Sequence, residues 1–149
     1  MRIIRLPGIH HDANAVIFAG NESSVLVDAG TTWYQMLQVE RISGHLGERK
    51  LSKILLTSRR YPFSGAAKYI SENNGNIPIH IHEDAISVLQ TGDFYSTWAN
   101  RYDSDMPSTD CVQVTQGDQF NLGDGNITAL SLPGHCTDAV SYTHLRAHE

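Results

Sequence analysis

The order of short apolar segments and turns is the feature that most constrains the fold of this chain. Residues 13–19 and 23–27 are rich in β-branched and aliphatic side chains, and Gly20-Asn21-Glu22 between them has the composition of a turn. This stretch therefore predicts a β-hairpin, which ends at Asp28-Ala29-Gly30. Strand-like segments then alternate with helical ones, and more hairpins follow. The whole order predicts an α/β architecture in which helices cover a mixed sheet.

The first helical pattern starts near residue 31 and predicts a helix that ends at Gly47. Thr31 or Thr32 is the predicted N-cap, because a threonine hydroxyl can accept a hydrogen bond from the first turn of a helix. The predicted buried face of this helix consists of Trp33, Met36, Leu37, Ile42 and Leu46.

The remaining segments follow the same alternation. Strands are predicted at residues 51–57 and 77–81, and helices at 64–71 and 83–90. The stretch from residue 92 to 107 has few aliphatic side chains but several aromatic ones, which favours an aromatic-anchored loop or short helix. The last predicted strands are 112–114, 119–122 and 127–132.

Size, charge and cysteine content exclude several classes of protein. The chain has 149 residues, 40% of them hydrophobic, which suits a single globular domain. Its formal net charge of -5 and scattered basic residues argue against nucleic-acid binding. No apolar run approaches the length of a membrane span, and Cys111 and Cys136 are too few for a disulfide scaffold. A cytoplasmic protein is therefore expected.

Three stretches carry a resemblance to a known family: Val25-Leu26-Val27-Asp28-Ala29-Gly30, Ile54-Leu55-Leu56-Thr57 and Leu132-Pro133-Gly134-His135. Together with the hairpin at residues 117–125 and the segment 138–141, they resemble the metallo-β-lactamase superfamily, which includes hydroxyacylglutathione hydrolases. The family fold is a four-layered αββα sandwich of two similar halves and is normally much longer. The resemblance implies that residues 1–149 form a single incomplete domain: the N-terminal half plus the start of the second half.

The resemblance also implies a hydrolase in which zinc or iron activates water to attack ester, thioester, lactam or phosphoester bonds. Family members carry His-x-His-x-Asp-His after a strand like 54–57, whereas this chain has Ser58-Arg59-Arg60-Tyr61-Pro62-Phe63, and Gly65 keeps its place. Serine, proline and phenylalanine supply no comparable metal ligands. Arg60 also disfavours a cation, because like charges about 4 Å apart repel by roughly 4 kcal/mol at an effective dielectric near 20. We expect a divergent, impaired hydrolase.

Few site residues carry over from the family to this sequence. His135, in the Pro-Gly-His turn, is the one metal ligand that the resemblance implies here. Asp28, Ser58, Gly65 and Gly134 are expected to shape the backbone around the site. The ending from residue 141 onwards resembles a translated adapter sequence, so we treat residues 143–149 as a possible artefactual tail and assign them no function.

Two other functions fit the replaced motif. Arg59 and Arg60 could bind a small anion, such as a carboxylate or phosphate, through fork-like hydrogen bonds, although adjacent arginines are more often solvated. Alternatively, the protein has a structural or interaction role, and residues 61–63 simply pack the former pocket.

Other histidines and a cysteine have simpler interpretations than metal binding. His80 and His82 share one face of a strand, where facing solvent or capping the next helix is favoured. His10-His11-Asp12 is interpreted as a polar loop rather than a relocated ligand set. Cys136 is interpreted as a small buried side chain rather than a nucleophile.

Overall fold

The computed structural model of the chain describes residues 1–131 and 140–146. The strands are β1 Arg2–Leu6, β2 Ala15–Ala19, β3 Ser24–Val27, β4 Lys53–Leu55, β5 Ile79–His82, β6 Val112–Val114, β7 Gln119–Asn121, β8 Gly125–Ser131 and β9 Val140–Arg146. The helices are α1 Gln35–Leu46, α2 Tyr61–Ser64, α3 Ala67–Asn73 and α4 Glu83–Thr91, with short 3₁₀ helices at Thr32–Tyr34 and Ala99–Tyr102.

The strands form two sheets. The first sheet has six strands in the order β1-β2-β3-β4-β5-β6, antiparallel from β1 to β3 and parallel from β3 to β6. The second sheet is an antiparallel β7-β8-β9 arrangement. The predicted hairpin is confirmed, because β2 and β3 pair antiparallel with Ala19 opposite Ser24.

Two hydrophobic cores separate three layers of structure. Side chains alternate across each strand, so β2, β3 and β4 contribute to both cores. The core between the helices and the first sheet includes Ile17, Leu26, Ile42, Ile54 and Leu89. The core between the two sheets includes Phe18, Val25, Leu55, Phe120 and Ile127. This helix, sheet, sheet order confirms the predicted α/β class and matches the N-terminal part of an αββα sandwich.

Helix α1 buries a narrower face than the sequence predicts. Ile42 and Leu46 are buried as expected, but Trp33, Met36 and Leu37 are 51%, 68% and 41% exposed. At about 100° per residue, residues 36 and 37 lie roughly 120° and 140° from Ile42 around the helix axis. The buried position is taken instead by Gln38, whose Nε2 donates a hydrogen bond to the Ala29 carbonyl at 3.2 Å.

One further element prediction needs correction, and the structure adds two features that were not predicted. The predicted helix at residues 64–71 is in two pieces, because α2 ends at Ser64 and α3 begins at Ala67. Strand β1 was not predicted, although its residues pair along the whole of β2. Strand β6 pairs in parallel with β5 and so belongs to the first sheet, whereas β7 begins the second. Within the described ranges, no helix is long and apolar enough to cross a membrane.

Candidate functional site

The parallel strands β3 and β4 end side by side, and this edge of the sheet carries Asp28 and Thr57. Asp28 Oδ1 accepts a hydrogen bond from the Thr57 amide at 2.9 Å, and Asp28 Oδ2 accepts one from Thr57 Oγ1 at 2.8 Å. Burial raises the pKa of Asp28 to about 7, against the lowering effect of the Thr57 hydrogen bonds. Asp28 thus joins the end of β3 to the loop that follows β4.

That loop continues into the short helix α2, and the segment of residues 58–63 is bonded to three other segments by backbone hydrogen bonds. The Pro62 carbonyl accepts from the Ala13 amide at 3.0 Å, and the Phe63 carbonyl accepts from the Ala29 amide at 2.8 Å. The Tyr61 amide donates to the Thr97 carbonyl at 2.7 Å. Because its backbone is bonded on several sides, the loop has a defined position over the end of the sheet.

Tyr61 fills the space beneath this loop. Its side chain is fully buried, and its hydroxyl accepts hydrogen bonds from the Thr32 amide at 3.2 Å and from Ser104 Oγ at 2.8 Å. The Thr32 hydroxyl also bonds to the Tyr61 hydroxyl. A Cβ at Gly65 would lie 2.7 Å from the Tyr61 ring, so the ring needs a glycine at that position. Tyr61 is therefore a core residue whose polar group is satisfied.

Arg60 lies on the other side of the loop and contacts the aromatic segment. Its Cζ is 3.6 Å from the ring centroid of Trp98, and its Nη1 donates to the Ser96 carbonyl at 3.1 Å. The Arg101 Cζ lies 4.0 Å from the same centroid. The two cations are thus within about 8 Å of each other, a separation at which like charges repel by roughly 2 kcal/mol at an effective dielectric near 20.

The two adjacent arginines have different neighbours. Hydrogen bonds from the Ser96 amide and hydroxyl lower the pKa of Asp93, and the nearby charge of Arg59 lowers it further. Arg60 instead shares Trp98 with Arg101, which the sequence analysis did not single out. The only signal for Arg101 in the sequence was its place in the aromatic segment at residues 92–107. The arrangement concentrates positive charge around Trp98.

The loop before β2 lies at the same end of the sheet, and Asp12 ties it to the start of α1. Asp12 Oδ1 accepts a hydrogen bond from the Thr31 amide at 2.9 Å and another from the Thr31 hydroxyl. Thr31 is the N-cap residue of the 3₁₀ helix that leads into α1, so its predicted position is confirmed. The predicted capping hydrogen bond is wrong, because the Thr31 hydroxyl is bonded to Asp12 instead.

The two histidines of this loop make aromatic contacts. The His10 ring stacks on Tyr34 at 5.5 Å between centroids. The His11 ring lies 6.1 Å from the Trp33 ring and 5.2 Å from the Tyr102 ring. These two histidines and Asp12 therefore contact different groups and do not converge on one point.

Gly30 makes the Asp12 contact possible, and its replacement tests the link. Gly30 has a φ of +89°, and a Cβ there would lie 2.6 Å from Asp12 Oδ2. We expect Gly30→Ala to lower the free energy of unfolding by about 2 kcal/mol in urea denaturation, because both the backbone strain and the clash oppose folding. Gly44→Ala is the control, since a Cβ at that helical position meets nothing within 4 Å. It should stabilise the protein by roughly 0.5 to 1 kcal/mol. Equal effects would refute this role for Gly30.

His80 and His82 have structural partners on β5. His82 Nδ1 accepts a hydrogen bond from the Asp84 amide at 3.1 Å and caps α4, so the helix-capping prediction is confirmed. His80 faces the second sheet with its ring 5.2 Å from the Phe120 ring. Burial, followed by the nearby charge of Lys53, lowers the pKa of His80 to about 4.

The residues that the structure describes do not fit the zinc or iron that the resemblance implies. Such a site needs several imidazole, thiolate or carboxylate donors that converge on one point. Among residues 1–131 and 140–146, no three histidine, cysteine, aspartate or glutamate side chains do so. The loop after β4 supplies a buried phenol at Tyr61 and a cation at Arg60 instead. His135, Gly134 and Cys136 lie outside the described residues.

Comparison with solved structures gives one consistent fold. A metallo-β-lactamase of Cronobacter sakazakii with a "HARLDQ motif" superposes with a TM-score of 0.76 and 19% identity, covering 91% of this chain and 52% of that one. BJP-1, a subclass B3 enzyme of Bradyrhizobium japonicum, gives 0.74 and 20%, with 87% and 49% covered. The metallo-β-lactamase MIM-2 gives 0.72 and 23%, with 94% and 52% covered.

These matches cover only part of the solved proteins. The chain spans about half the length of the solved chains that it matches. No protein-family model matches the sequence, and no curated protein does. At these identities the likeness concerns the fold, and activity has to be argued from the residues of the site.

Proposed function

Since this chain has the metallo-β-lactamase fold, we propose that it is a divergent, hydrolase-like protein in which metal-activated attack of water on ester, thioester, lactam or phosphoester bonds is impaired. The observation that supports this most directly is the burial of Tyr61 in the loop after β4. A ligand loop needs donor atoms directed at a common point, whereas the Tyr61 hydroxyl is directed at Thr32 and Ser104.

The charge of the loop supports the same proposal. Arg60 directly precedes Tyr61, and its guanidinium group lies over the Trp98 ring. Arg101 adds a second guanidinium group, 4.0 Å from the Trp98 centroid. A divalent cation placed near these groups would be repelled, and the loop has no carboxylate to offset this. The site therefore favours anions over metal ions. We also propose a cytoplasmic location, because the chain has only two cysteines, and no nucleic-acid partner, because its net charge is -5.

Metal content tests the proposal. We expect elemental analysis of the untagged chain to find well under one equivalent of zinc or iron, before and after incubation with either ion. The matched variant restores the family motif with Ser58→His, Arg60→His, Pro62→Asp and Phe63→His together. It should bind substantially more zinc, because the loop then offers several donors at suitable spacing.

Stoichiometric metal in the unaltered chain would contradict the proposal. If that metal were lost on replacing His135 with alanine, the hydrolase interpretation would be restored, and substitute ligands would have to be sought. Circular dichroism of the fourfold variant provides the control for folding, because the substitutions also alter the contacts of Arg60.

A second candidate function is the binding of a small anion, and one observation favours it. Arg60 and Arg101 are both held against Trp98, so two guanidinium groups lie close together beside the site. Guanidinium groups bind carboxylates and phosphates through paired, charge-assisted hydrogen bonds. In this candidate function the fold serves as a binding module, and the loop that would carry metal ligands carries one of the cations.

A further inference from the structure

A cavity of about 480 Å³ lies at the other end of the first sheet from the loop after β4. Strands β3 to β6 run parallel, and the candidate site is where β3 and β4 end. The cavity is instead lined by the residues at which β5 and β6 begin, Ile79 and Val112. Its volume is in the range of sites for small molecules. A ligand bound here would therefore lie apart from the candidate site.

The walls of this cavity are fixed by hydrogen bonds within the protein. Ser71 Oγ, on α3, donates to the Ile77 carbonyl at 2.6 Å. In the segment before β6, the Thr109 amide donates to the Leu89 carbonyl at 2.8 Å. Because these bonds form without a ligand, the cavity is preformed, and binding does not have to order its walls.

Three charged side chains line the cavity: Lys68 and Glu72 of α3, and Asp110. All three are exposed, and among residues 1–131 and 140–146 none of them forms an ion pair within 4.0 Å. Lys68 and Glu72 are four positions apart, so their Cβ atoms lie about 5 to 6 Å from each other on one face of the helix. The cavity thus offers one cation and two anions to a ligand.

Apolar side chains form another part of the wall. They come from residues 77–79 and from Val112, which is 48% exposed. Burial, followed by the nearby charge of Asp110, raises the pKa of the Cys111 thiol to about 12. This thiol is therefore un-ionised at neutral pH and adds to the apolar wall. An aliphatic group in the cavity would gain free energy by removing this surface from water.

We propose that this cavity binds a free α-amino acid with an aliphatic side chain. The α-ammonium group pairs with Glu72 and Asp110, the α-carboxylate pairs with Lys68, and the aliphatic side chain covers the apolar wall. The two charged groups of such a ligand are attached to one carbon atom, so they can reach two side chains that are one helical turn apart. The inference goes beyond the proposed function and does not rest on it, because the cavity lies at the other end of the sheet.

The balance of charges selects this class over related molecules. A simple amine would pair with the two carboxylates but would place a second cation beside Lys68 and leave Lys68 without a partner. A simple carboxylate would meet two like charges, at Glu72 and Asp110. Pairing between Lys68 and Glu72 competes weakly, because a helical pair with the lysine on the N-terminal side is the less favourable orientation.

NMR of the backbone amides tests the inference, because it detects weak binding and locates it. We expect titration with leucine, without added metal, to shift the signals of residues 77–79 and 110–112 saturably and to leave those of Asp28 and Thr57 unchanged. Isoamylamine, which is leucine without its carboxylate, should bind about fivefold more weakly, a loss typical of one exposed ion pair. Isocaproate, which is leucine without its ammonium group, should bind more weakly still.

Single variants assign the charged groups. Lys68→Gln should weaken leucine binding about fivefold without weakening isoamylamine binding, because the amine has no carboxylate to pair with the lysine. Glu72→Gln should weaken the binding of both leucine and isoamylamine, since both carry the ammonium group. Glu40→Gln, at an exposed position of α1, is the matched control and should bind leucine as the unaltered chain does.

Two results would overturn the inference. One is the absence of saturable shifts at the cavity up to millimolar leucine in a folded protein. The other is an affinity for isoamylamine or isocaproate that equals the affinity for leucine, which would show that the cavity does not bind both charged groups. Neither result concerns the metal content of the chain, so failure here and failure of the impaired-hydrolase proposal can be told apart.

Discussion

Replacing Tyr61 with alanine should lower the free energy of unfolding by about 3 to 5 kcal/mol, because removing a large, fully buried ring leaves a cavity in the core. The loss would also leave the Thr32 amide and Ser104 hydroxyl without the phenol oxygen to which they donate. Small domains are stable by only about 5 to 15 kcal/mol, so this change could remove most of the stability. Urea denaturation followed by circular dichroism measures it.

Two matched variants separate the ring from the hydroxyl. Tyr61→Phe keeps the ring and should cost about 1 to 2 kcal/mol, since only the hydrogen bonds to Thr32 and Ser104 are lost. Tyr95→Ala removes a tyrosine that is 67% exposed and should change stability by less than about 0.5 kcal/mol. A small effect of Tyr61→Ala would show that the loop after β4 tolerates another conformation, which would weaken the argument against a ligand loop.

The partly buried His80 and the buried Asp28 should give stability pH dependences of opposite sign. The pKa of His80 falls to about 4 in the folded state, so between pH 6.5 and 4 the unfolded chain takes up a proton that the folded chain does not. Stability from this group is complete above pH 6.5 and is lost as the pH falls towards 4. The shift corresponds to roughly 3 kcal/mol at most, and screening by solvent reduces this contribution because His80 is only partly buried.

Asp28 acts in the other direction. Its pKa rises to about 7 in the folded state, so between pH 3.8 and 7 the folded chain holds a proton that the unfolded chain releases. Stability from this group is complete below pH 3.8 and is lost as the pH rises to 7, by roughly 4 kcal/mol. Between pH 4 and 6.5 the contributions of His80 and Asp28 nearly cancel.

Single variants should reveal these cancelling contributions in urea denaturation at pH 4.5, 5.5 and 6.5. Asp28→Asn leaves His80, so its free energy of unfolding should rise with pH across this range by about 2 kcal/mol or more relative to the unaltered chain. His80→Leu leaves Asp28, so its free energy of unfolding should fall with pH by a similar amount. If both variants had the same slope as the unaltered chain, neither pKa shift would hold.

The residues replaced in these variants lie on both sides of the first sheet. Tyr61 belongs to the core beneath the helices, and His80 faces the second sheet beside Phe120. Asp28 directly follows β3. Burial, followed by the nearby charge of Asp28, raises the pKa of Tyr142 on β9. The Tyr142 hydroxyl donates to the Leu56 carbonyl at 3.0 Å, which links the second sheet to the candidate site.

Local pattern determined much of the fold. The hairpin of β2 and β3 could be predicted because its turn and its alternating side chains are neighbours in the chain. The end of α1 at Gly47 followed from the same kind of local signal, since glycine adopts the positive φ of 64° found there. The resemblance of three short stretches to a known family then supplied the architecture, which the structural comparisons support.

The tertiary structure decided what the candidate site contains. Arg101 lies three positions from Trp98, so their contact is local. Arg60 is thirty-eight positions from Trp98 and contacts it only because the aromatic segment packs against the segment after β4. The burial of Tyr61 likewise depends on Thr32 and Ser104, from two other parts of the chain. Sequence alone showed that the metal motif is replaced, because ligand chemistry is a property of each residue. The contacts of the replacing residues are made with distant parts of the chain, and these contacts form only when the sheets and helices pack.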